Sequence, residues 1–115
     1  MALFKLDRQL PSFNLQPEHF LHKFGEMIGF RDIDFSRAPG FSKSYRLTGK
    51  QESNIRTLFR PEVLKFFESN SGWSVEGDQS WMVIYHPSKR VNPKHYRDFI
   101  DKVRAIWATF SGSWN

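Results

Sequence analysis

Residues 93–110 constrain this chain more than any other stretch. Tyr96, Phe99, Ile100, Val103, Ile106, Trp107 and Phe110 fall on one stripe, while Lys94, Arg97, Asp98, Asp101, Lys102 and Arg104 fill the opposite side. That spacing is one long amphipathic helix, and its apolar stripe needs a second layer to cover it. Asn92 caps the helix and Pro93 opens it. Just before it, residues 72–86 read as strand, tight turn and strand. Trp73 and Val75 alternate with polar neighbours, Glu76-Gly77-Asp78-Gln79 supplies the turn, and Trp81, Val83 and Tyr85 alternate with Met82, Ile84 and His86. The second strand is apolar on both faces, which predicts a central, covered position.

A hairpin followed by a helix gives the fold class: α+β, two layers, an antiparallel sheet with helices mainly on one face. Upstream, Pro17 and Glu18 followed by Phe20, Leu21, Phe24, Met27 and Ile28 predict a helix over 17–28. Thr48 and Gln51 have capping-box spacing. The stripe Ile55, Leu58, Phe59, Val63, Leu64, Phe66 and Phe67 then predicts a helix over 51–68, broken near Pro61. Residues 2–7 read as a strand that Pro11 interrupts, 30–35 as an extended segment, and 41–48 as a strand with Phe41, Tyr45 and Leu47 on one face. With 115 residues, no repeat and no linker, the chain reads as one domain, 1–115.

Composition removes several functions. There is no cysteine, which excludes disulfides, thiolate metal sites and thiol nucleophiles. No apolar run is long enough to cross a membrane. The glycines never approach phosphate-loop spacing, and no Gly-x-Ser-x-Gly elbow exists. No catalytic constellation and no cofactor motif is present, so an enzyme is not the expectation.

What remains is charge. The net charge is +5, and residues 37–65 hold Arg37, Lys43, Arg46, Lys50, Arg56, Arg60 and Lys65 against only Glu52 and Glu62. Lys43, Arg46, Lys50, Arg56 and Arg60 are the candidate binding residues for nucleic acid or another anion, since charge and Tyr45 occur together. The plainer reading is a mildly basic surface with Tyr45 packed inward. Asp32 and Asp34 would share one face of a strand and form a candidate Mg²⁺ pair for a metal-dependent enzyme. His19 and His22 lie three apart with the same weak metal potential. Ordinary amphipathic packing explains both pairs.

Several spaced segments also carry a resemblance. Leu10-Pro11-x-Phe13-x-Leu15-x-Pro17-Glu18, Asp32-Ile33-Asp34-Phe35, Phe41-Ser42-x-x-Tyr45-x-Leu47-x-Gly49, Ile55-Arg56-x-Leu58-Phe59 and Trp73-Ser74-Val75-Glu76-Gly77 are one set. Over about residues 10–110 it resembles a family of uncharacterised bacterial membrane-anchored proteins. The resemblance implies that this chain is the C-terminal soluble part of a longer protein, at the cytoplasmic face of the membrane and tethered only through a segment outside this chain. The family has no assigned activity, so no functional residue is carried over. The leading expectation is a non-catalytic interaction or scaffolding module, with a protein partner or self-association.

Overall fold

The computed structural model describes residues 2–18, 33–86 and 93–112. Its elements are β1 (Ala2–Pro17), α1 (Pro39–Ser44), β2 (Tyr45–Thr48), α2 (Glu52–Leu58), α3 (Pro61–Ser69), β3 (Ser74–Tyr85), a 3-10 turn (Pro93–His95) and α4 (Tyr96–Ser111). The three strands form an antiparallel sheet in the order β2-β1-β3. The class is α+β.

β3 cannot be straight. Its 12 residues, extended at about 3.3 Å each, would hold its ends roughly 40 Å apart. Yet the rings of Trp73 and His86, which flank it, have centroids 5.2 Å apart. The Tyr85 hydroxyl likewise reaches back to donate to Glu76 Oε2 at 3.1 Å. The strand therefore folds over on itself. The reversal falls at Gln79, which alone among the described non-glycine residues has a positive φ, +53°. The hairpin expected over 72–86 is thus present, but its turn is corrected. Gly77 is not a turn residue; it lies within the strand opposite Phe13. An ideal Cβ on Gly77 would stand 2.3 Å from Phe13 Cε1, so glycine is there to admit a ring.

β1 is bent for the same reason. At 16 residues a straight strand would span about 50 Å, more than the molecule's longest extent of 39 Å. Its first half runs beside the second half of β3 (Ala2↔Ile84, Leu3↔Val83, Lys5↔Trp81). Its second half runs beside the first half of β3 (Phe13↔Gly77, Asn14↔Glu76, Leu15↔Val75). Pro11 does not end the strand, because register shifts between Lys5 and Leu10 and between Leu10 and Phe13 absorb its missing donor. Crossing the sheet, one meets the first half of β1, the second half of β3, the first half of β3, the second half of β1, and β2.

Alternation then sorts the side chains. The inner face carries Phe4, Phe13, Leu15, Tyr45, Leu47, Val75, Met82 and Ile84, and the helices cover it. Phe4 stacks on Trp107 of α4 at 4.8 Å. Phe13, Phe59 and Phe110 meet edge-on or tilted at 5.3–6.2 Å. Tyr45 lies flat on Phe41 at 5.3 Å, and its hydroxyl donates to Asn70 O at 2.7 Å. The aromatic rings of α3 and, from Phe99 onward, of α4 are spent here, whereas Tyr96 stays exposed.

Three further expectations are corrected. The strand expected over 41–48 is shorter: Pro39 sits in the first turn of α1, and only Tyr45–Thr48 is extended. Helix α2 takes Gln51 as its N-cap with no side-chain cap bond, so Thr48 and Gln51 form no capping box. Pro17 is the last residue of β1, paired with Tyr45, instead of opening a helix. Residues 19–28 of the helix expected over 17–28 lie outside the described residues, as does Asn92. The break near Pro61 is as expected, with α2 ending at Leu58 and α3 starting at Pro61. The last helix is present but starts three residues later than expected, at Tyr96 with His95 as its N-cap, because Pro93–His95 form a 3-10 turn.

Candidate functional site

Two surfaces merit description. The first is a cleft of about 700 Å³ between residues 35–38 and the α2–α3 corner. Phe35, Ala38, Phe59, Pro61 and Leu64 supply its apolar lining, and Arg37, Arg56, Arg60 and Lys65 its cations. Arg56 donates from Nε to Glu52 at 3.1 Å, and its guanidinium lies 5.1 Å from the centre of the Phe35 ring. Arg60 is engaged elsewhere. Its Nη1 meets Glu62 at 3.3 Å, while its Nη2 donates to the carbonyls of Thr109 and Phe110 at the end of α4. There the cation opposes the negative end of the helix dipole. The lone carboxylate of the lining, Glu68, accepts from the Phe41 amide at 3.0 Å.

The five basic residues singled out in the sequence are therefore dispersed. Arg56 and Arg60 share the cleft. Lys43 lines an adjoining hollow with Asp34, Phe35 and Arg56. Arg46 pairs in register with Gln16 on the other side of the sheet. Lys50 lines a separate hollow with Ser12, Asn14, Glu76 and Asp78. Arg37 and Lys65 join the cleft through tertiary folding and are not marked by the 43–60 run. Asp34 is exposed, while Asp32, His19 and His22 lie outside the described residues. Among the described residues, no group of three or more His, Asp or Glu could hold a metal ion.

The second surface is the outer face of the sheet. Leu3, Lys5, Ser12, Asn14, Glu76, Asp78, Trp81, Val83 and Tyr85 project from it by strand alternation. At one end lies a polar network. Ser74 Oγ donates to Gln16 Oε1 at 2.8 Å, and Gln16 Nε2 donates to Tyr85 OH at 2.8 Å and to Asn14 Oδ1 at 2.6 Å. Burial pushes the Tyr85 phenol above its ordinary pKa, and the Glu76 carboxylate adds to the rise. At the other end the face is apolar and open. Leu3 is 59% exposed and Trp81 43% exposed. Lys5, paired with Trp81, holds its ammonium 5.8 Å from the Trp81 ring centre. The Trp81–Val83–Tyr85 alternation is legible in the sequence, but the expectation that this strand is covered on both faces is corrected at one end: on the outer face Val83 and Tyr85 are half-buried while Trp81 stands open.

Among the described residues, no helix is long and apolar enough to cross a membrane. Compared with known proteins, the chain matches no protein-family model, no curated protein and no solved structure.

Proposed function

We propose that this chain is a non-catalytic interaction module, the soluble part of a membrane-tethered bacterial protein, and that the open end of the outer sheet face is its contact surface. One observation carries the reading. Leu3, Trp81 and Val83 form a contiguous apolar group on a rigid paired sheet, and the first two are exposed large hydrophobics. Exposed aromatic and aliphatic side chains clustered on a preformed surface are what a docking partner desolvates. The tether and the cytoplasmic side rest on the family resemblance alone. A photo-crosslinking residue placed at Trp81 in bacterial cells should trap a discrete protein adduct, and the same residue at Thr57 on α2 should not. Equal, diffuse labelling at both positions would refute the reading.

A second reading, binding of an anionic ligand or nucleic acid, is favoured by the cleft. Its aromatic–guanidinium stack stands beside Arg37 and Lys65, for which no ion pair is seen among the described residues. Fluorescence anisotropy with a labelled single-stranded oligonucleotide should show binding that weakens steeply with salt. It should disappear in Arg37→Glu/Lys65→Glu. Salt-independent binding, or none, removes this reading.

A further inference from the structure

The outer face carries its own complement. Four strand segments place four columns side by side: Leu3 and Lys5, then Val83 and Trp81, then Glu76 and Asp78, then Asn14 and Ser12. The first two columns are adjacent by register, as are the last two. The fold-over of β3 at Gln79 sets the middle two together. One row thus reads Lys5, Trp81, Asp78 and Ser12, the last two joined by Ser12 Oγ donating to Asp78 Oδ1 at 2.6 Å. The next row reads Leu3, Val83, Glu76 and Asn14.

Lys5 stands one column to one side of Trp81, and Asp78 one column to the other. Two strand spacings, about 10 Å, separate them, so within one molecule they are not paired. We infer that this face closes on a second copy of the chain, about a two-fold axis lying along the Val83–Trp81 column. This deepens the module reading above and rests on it. The operation sets Trp81 and Val83 against their own counterparts, and it carries the first column of one copy onto the third of the other. Lys5 then faces the partner's Asp78, twice over, and Leu3 faces the aliphatic stem of the partner's Glu76. Packed sheets lie about 10 Å apart face to face, a gap that a lysine and an aspartate can bridge. A two-fold interface must be self-complementary. A patch with a cation on one flank and a carboxylate at the mirror position on the other meets that condition, and an unrelated partner would have no need of it.

Sedimentation equilibrium of the chain tests the inference. The wild type should show a concentration-dependent monomer–dimer equilibrium below about 1 mM. Lys5→Glu and Asp78→Lys should each weaken it about tenfold, because each turns two attractions into two repulsions. Combining the two should return the affinity toward wild type. Circular dichroism checks that the variants stay folded. The chain has no cysteine, so Val83→Cys should cross-link to itself with a short bismaleimide, and Lys65→Cys should not. A monomer throughout that range, a dimer indifferent to both charge reversals, or a combined variant no better than either single one overturns the inference. If the chain stays monomeric while a crosslinker at Trp81 still traps a different protein, the homodimer falls and the module reading stands. If both fail, both fall.

Discussion

Replacing Gly77 with alanine is the sharpest test of the sheet's registry. The new methyl would lie 2.3 Å from Phe13 Cε1 and 2.9 Å from Cδ1, where carbon contacts normally sit at about 3.5–4.0 Å. Ring or strand must therefore move by more than about 1 Å. The ring has little room, since Phe59 meets it edge-on at 5.3 Å and Phe110 lies tilted at 6.2 Å. Overpacking of this kind costs about 1–3 kcal/mol, and alanine returns less than about 1 kcal/mol by restricting the unfolded chain. A net loss of about 2 kcal/mol follows, near 10 °C in Tm for a domain of this size. Urea and thermal melts followed by tryptophan fluorescence would read it. Gly112→Ala is the control. Gly112 has helical φ and ψ, −58° and −21°, and its nearest obstacle is 3.3 Å away. That variant should be neutral or slightly stabilising. A Gly77→Ala protein within about 0.5 kcal/mol of wild type would refute the seating of Phe13 over Gly77, and with it the pairing of the second half of β1 to β3.

Other expectations follow from single groups. Burial pushes the Tyr45 phenol from 10.0 up to about 12, so the unfolded chain ionises first as pH rises. The stability it contributes is intact below pH 10 and is lost between 10 and about 12. Urea midpoints against pH should fall more steeply there for wild type than for Tyr45→Phe. Arg60→Met removes the donors to the Thr109 and Phe110 carbonyls. It should cost about 1–2 kcal/mol by chemical denaturation, with the end of α4 losing hydrogen-exchange protection first. Gly49→Ala should destabilise like Gly77→Ala, because its Cβ would meet Ile55 Cδ1 at 2.4 Å and the Ser12 carbonyl at 2.5 Å. A normal melting curve would contradict that packing.

What was legible in the sequence is what local chemistry decides. The stripe from Phe99 to Phe110 and the break at Pro61 need only helical periodicity and proline sterics, and both stand, while Tyr96 at the head of the expected stripe is exposed. Phe41 and Tyr45 misled because their spacing of four also satisfies one turn of helix, and Pro39 at the start tips 39–44 that way. Pro11 looks like an interruption in the sequence because its tolerance depends on a bulge that only the partner strand defines. Both candidate surfaces depend on distant residues. Leu3 meets Val83 across most of the chain, and Arg37 and Lys65 reach one cleft from opposite sides of β2. Nothing in a run of neighbours records such meetings.

The wrapping of β1 around the folded β3 has a consequence for biosynthesis. Residues 2–5 are translated well before their hydrogen-bonding partners, 81–84. While the residues between them are made, a segment with several large apolar side chains waits unsheathed, open to chaperones or to neighbouring nascent chains. Stalled products that stop short of residue 81 should bind holdase chaperones far more than released chains that include β3.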